Sequence, residues 1–170
     1  MKINLTDKAA EALKGRVVEI AQLEDYLNNN GCEDCELLTY ICHPSEKKKI
    51  WEETKVSGSG EDKWDYPGDD AFMAFFNYPD NEAYVFVDET APVRRIRELV
   101  IHELVHYILF RKAPFLYHYF RERKGDFVKY LKMTMEEFNA TPEIYAKYHG
   151  EIPEERFCIE VSTYFANNMR

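Results

Sequence analysis

Residues 99–109 read LVIHELVHYIL, with His102 and His106 four positions apart inside an otherwise apolar run and Glu103 beside the first of them. Each of these polar groups loses hydration on burial, and only a good partner replaces it. On a helix, residues four apart point within about 40° of one another and stand roughly 6 Å apart along the axis. The two imidazoles therefore share a face. A divalent cation gripped by both is the partner that makes such burial tolerable.

The flanking sequence sets this stretch in a fold. DETAPVRR (88–95) combines capping residues with Pro92, which suits a first helical turn, so the spacing predicts a helix from about Pro92 to Phe110. It is apolar on most sides and hence central. Upstream, AFMAFF (71–76) and AYVFVD (83–88) flank the turn-forming NYPDNE, which predicts a hairpin over 71–88. Thr6 and Asp7 mark a further helix start, followed by Ala10, Leu13, Val17, Ile20, Ala21, Leu23 and Leu27 at helical spacing. NNNG (28–31) ends it, with Gly31 suited to the left-handed cap. CELLTYIC (35–42) reads as a first strand, and the lysine-rich, then Gly/Ser-rich stretch 45–70 reads as a loosely held connection. Beyond 110 the chain reads as short helical pieces broken at Ala113-Pro114, Gly125, Thr141-Pro142 and Gly150-Glu151, with a final piece starting at Pro153.

No internal repeat or second domain is evident. The expectation is a single α+β domain over 1–170, with a small antiparallel sheet packed on the central helix and a mostly helical C-terminal part. At 170 residues, 45% hydrophobic and 15% aromatic, the chain can bury a substantial core. A net charge of −9 argues against nucleic acid as a partner, since phosphate recognition requires a basic surface. No stretch resembles a secretory signal or a membrane span, so the reading is cytoplasmic with no membrane partner. Four cysteines, unevenly placed, are too few for a disulfide framework.

The chemistry of H-E-x-x-H is mechanical. Two imidazoles hold zinc, and the glutamate one step along reaches the open coordination position, where it can take a proton from water. With this motif on a capped, apolar helix behind a hairpin, the chain resembles the zincin metallopeptidases. The metzincin branch requires glycine at 109 and histidine at 112, where this chain has Leu109 and Lys112. The resemblance that remains is to gluzincins, whose third ligand is a glutamate on a later helix. E155-R-F-C158-I-E-V161-S162-T-Y-F165-A166 is similar to the glutamate helix of the small ImmA/IrrE-type metallopeptidases and of antirestriction-type domains.

That resemblance implies Zn2+ as cofactor, His102, His106 and Glu155 as ligands, Glu103 as general base, and a peptide or protein substrate. Glu160 and Glu154 are the alternatives for the third ligand, and acidic residues behind Pro153 also simply complement a helix dipole. Cys158, Val161 and Ser162 depart from the family's usual small and aromatic residues. Glu155 lies in frame with Cys158, Ile159, Ser162, Phe165 and Ala166, a stripe whose small members permit close helix approach. Tyr148 or His149, with Tyr145 nearby, is the candidate to stabilise an oxyanion. Strand 83–88 is the candidate to hold an extended substrate by β-augmentation. The alternative reading keeps the zinc and drops proteolysis, leaving a latent regulatory or interaction module.

Three further features weigh less. Cys32-x-x-Cys35 with Cys42-His43 has zinc-ligand chemistry, but a strand from 35 to 42 holds its ends some 20 Å apart, so ordinary thiols are expected. FRERK (120–124), with Arg111 and Lys112, is the one basic cluster and reads as a solvated helix face. His118 reads as a packed or surface histidine.

Overall fold

The computed structural model describes residues 1–54 and 66–111, together with Cys158, Ser162, Thr163, Phe165, Ala166, Asn167 and Met169. Its elements are β1 (Lys2–Leu5), α1 (Asp7–Ala12), α2 (Val17–Leu27), β2 (Leu38–Cys42), α3 (Lys47–Glu53), β3 (Ala74–Asn77), β4 (Glu82–Phe86) and α4 (Val93–Arg111). The chain is α+β, as its patterning predicts. The helix breaks proposed between 113 and 151, the basic cluster 120–124 and His118 lie outside the described residues.

The sheet has the order β1-β2-β4-β3 and is mixed, not antiparallel. β1 pairs with β2, and β2 with β4, in parallel; only β3 runs antiparallel, against β4. The hairpin alone dictates an antiparallel pair, whereas helical connections return the chain to the sheet in its original direction. This topology also corrects the substrate strand. β4 is paired on both sides, so 83–88 has no free edge to offer, and β3 is the outer strand. The opposite edge is partly closed by α2, because the Ile3 N–H donates to Glu24 Oε2 at 2.6 Å.

Two elements escape the sequence pattern and one divides. β1 is only four residues long, and its alternation of Lys2, Ile3, Asn4 and Leu5 is the shortest run that can carry a strand signal. α3 lies in the supposed loose connection. The single helix expected over 6–27 is interrupted by a 3-10 turn at Lys14–Arg16, where Leu13 leaves helical geometry (φ −107°, ψ 19°). The Thr6 cap holds as predicted, its hydroxyl accepting from the Ala9 N–H, and Gly31 takes the left-handed conformation at φ 108°. In the hairpin turn the left-handed residue is Asn81 (φ 53°, ψ 48°), while the fully buried Asn77 amide donates to Glu82 at 2.8 Å.

Strand alternation separates two cores. On one face Ile3, Ile41, Ala83 and Val85 join Leu13, Leu23 and Leu27 of the N-terminal helical segment and Leu104 and Ile108 of α4. On the other, Cys42, Phe75 and Phe86 are covered by Ile50 and Trp51 of α3, with Phe72, Tyr40 and Tyr84. There the buried Lys47 ammonium lies 5.3 Å from the Phe72 ring centre and donates to the Asp69 carbonyl at 2.7 Å, so its charge meets both a π face and an acceptor.

The entry to α4 is tied down from both sides. Asp88 accepts hydrogen bonds from the Thr90 N–H and hydroxyl, and the Arg16 guanidinium donates to the Ala91 and Glu89 carbonyls. Among the described residues no helix is long and apolar enough to cross a membrane.

Candidate metal centre

From Leu99 to Ile108 α4 is buried nearly all round, as its apolar pattern predicts. Leu99, Val100, Ile101, Leu104, Val105, Tyr107 and Ile108 are all core residues. It crosses beside the hairpin strands, where Phe76 and Tyr107 meet edge to face at 6.1 Å between ring centres. His102 and His106 are only half-buried, so this stripe of the helix is not sealed by its surroundings.

The histidines point the same way. Their Nε2 atoms stand 3.1 Å apart, with ring centres at 4.8 Å and planes inclined by 61°. At that distance one ring nitrogen can donate to the other, or both can face one cation. Two nitrogens on one tetrahedral zinc, each at about 2.0–2.1 Å, stand about 3.3 Å from each other. The observed separation matches that donor geometry without rearrangement of α4.

A third atom of a type that can ligate a metal comes from the C-terminal part of the chain. Cys158 Sγ and one nitrogen from each imidazole all lie within 4.8 Å of one another, and among the described residues this is the group of three that could hold a metal. Cys158, Ser162, Phe165 and Ala166 are helical and all buried. Their spacing of four, three and one places them on a single face. The small-residue stripe read from the sequence is therefore inward-facing at every described position. The sequence marks Cys158 as a member of this stripe and a departure from the family pattern, and does not single it out as a ligand. The available signal was a thiol standing at a small-residue position on the very face that had to approach the histidines.

Glu103 is 4% exposed, and among the described residues it is the only carboxylate so deeply buried. It is the neighbour of a half-buried histidine on the same helical turn, where burial disfavours charge unless the surroundings compensate it. Glu155, Glu154, Glu160, Tyr145, Tyr148 and His149 lie outside the described residues.

The other cysteines do not gather. Cys42 belongs to the aromatic core beyond the sheet, Cys32 and Cys35 sit after α2, and none of the four cysteines is in a disulfide. Among the described residues Cys32, Cys35 and Cys42 do not join the group of possible metal donors.

Compared with protein families, curated proteins and solved structures, the chain matches none of them.

Proposed function

We propose that the chain is a zinc-dependent metallopeptidase of the gluzincin type. The observation that supports this most is the convergence of the His102 and His106 Nε2 atoms at 3.1 Å on a helix whose next residue after His102, Glu103, is buried. The donor set suits zinc, and the order of an antiparallel outer strand, an inner strand and then the motif-bearing helix supports a reading in which the outer strand carries the substrate.

His102 and His106 would hold the ion, with a third ligand from the C-terminal segment; Glu155 is the sequence candidate, with Glu160 and Glu154 as alternatives. Zinc, when bound, supplies a Lewis acid that brings the deprotonation of water toward neutral pH and polarises a carbonyl. Glu103 accepts the proton of the attacking water at its carboxylate and delivers it to the leaving amine nitrogen, so no net proton is consumed at the residue. Its burial holds the acceptor in place and keeps bulk water from competing for that proton. β3, as the outer strand, holds an extended peptide by main-chain hydrogen bonds, replacing the role expected of 83–88. Tyr148 or His149 is the proposed donor to the oxyanion.

The test is hydrolysis of a quenched peptide library by the zinc-loaded chain. We expect turnover that falls at least about a hundredfold in Glu103→Gln while zinc content is retained. Zinc bound at the histidines with no turnover of any peptide would rule out the peptidase and leave the latent module.

A further inference from the structure

We infer that Cys158 is the third protein ligand of the metal held by His102 and His106, giving a donor set of two imidazoles and a thiolate in place of the expected carboxylate. The inference rests on the metal-centre reading above, keeps Glu103 as the general base, and replaces the gluzincin glutamate ligand with a thiolate.

Three observations carry it. The Cys158 sulfur and an imidazole nitrogen from each histidine lie within 4.8 Å of one another. Donors around one zinc, with Zn–N about 2.0–2.1 Å and Zn–S about 2.3 Å, stand roughly 3–4 Å apart, so side-chain rotation alone closes the set. Second, Cys158 is fully buried, and Ser162, Phe165 and Ala166 on the same face are buried with it, so the core itself delivers the sulfur to α4. Third, Cys158 and Phe165 belong to the same core as Leu104, Val105 and Ile108, the residues that flank the histidines on α4. A buried cysteine is by itself ordinary, since this residue packs as a small hydrophobe. What singles this one out is that its sulfur shares a space with two imidazole nitrogens that already face each other.

The substitution has chemical consequences. A thiolate carries the same formal charge as a carboxylate, so the charge on the loaded centre is unchanged. Its softness shifts preference toward zinc and away from magnesium, calcium and manganese, which take oxygen donors. Glu155, three residues earlier in the sequence, is then released from the ligand role.

Cobalt(II) is the probe, because tetrahedral cobalt absorbs in the visible whatever its ligands, while a cobalt–thiolate bond adds a charge-transfer band in the near ultraviolet. The full chain is stripped with chelator and titrated with cobalt(II). We expect both absorptions to saturate at about one cobalt per chain. The near-ultraviolet band disappears in Cys158→Ser and in His106→Gln and persists in Glu155→Gln, and zinc affinity falls at least about tenfold in Cys158→Ser. A chain carrying Cys32→Ser, Cys35→Ser and Cys42→Ser, in which Cys158 is the sole thiol, keeps the band; this readout stands even where Cys158→Ser fails to fold. Visible bands that require His106 but come without the thiolate band, or a band that survives Cys158→Ser, would overturn the assignment and leave the metal centre intact. Absence of any metal uptake dependent on His106 would remove the centre itself.

Discussion

At the scale of single residues, the four thiols sort by surroundings. The Cys32 thiol donates to Cys35, which pushes Cys32 well above the usual thiol range and lowers Cys35, while Cys42 is pushed up to about 12 by burial and then by nearby Glu46. Only the thiolate reacts with alkylating agents. Cys35, half-buried where Cys32, Cys42 and Cys158 are buried, is expected to be labelled first near neutral pH. Cys32→Ala removes the donated hydrogen bond, raises Cys35 again and slows that labelling severalfold. Mass-spectrometric labelling time courses check the order, and Cys42 reacting ahead of Cys35 would contradict it. Spacing along the sequence separates the four thiols into positions, but which of them is reactive depends on partners that spacing does not reveal. The same holds for Cys158, which lies more than fifty positions along the sequence from the histidines it approaches.

At the scale of elements, the helix with the motif was the most legible part of the chain. Its cap residues, its first-turn proline and its continuous apolar pattern each point to one start and one type, and α4 begins at Val93, directly behind Pro92. The entry turn makes a pH-dependent contribution. The Thr90 hydroxyl, and next its N–H, hold the Asp88 carboxyl below the usual carboxylate range. A carboxyl whose folded pKa lies below its unfolded value of about 3.9 stabilises the fold fully above that value, and the contribution is lost as pH falls through the lower, folded value. Thr90→Ala is therefore expected to lower Tm near neutral pH, with the difference from the parent chain shrinking as pH drops below about 4. Thermal melts across that range test it; a difference that grows on acidification would show the linkage to be wrong. α3 was illegible by comparison. Its lysines and glutamates carry no strong helical stripe, and only the aromatic cluster beneath Ile50 and Trp51 explains why it is there.

For the whole molecule, a metal that binds the folded chain and not the unfolded one stabilises it by mass action. At a hundredfold excess of free zinc over Kd the stabilisation is about 2.7 kcal/mol. For a chain of this size that raises Tm by about 5–10 °C, and His106→Gln is expected to abolish the increment. Calorimetry with and without zinc measures it, and an unshifted melt at saturating zinc would exclude a site coupled to folding. What the sequence determined by itself was local: the helical periodicity of 93–111, the hairpin, the left-handed Gly31 and the shared face of His102 and His106 all follow from interactions within a few residues. What only the tertiary structure decided was non-local. Strand direction, the outer position of β3 and the approach of Cys158 to the histidines depend on how distant segments return to one core, and no pattern within a short window encodes that return.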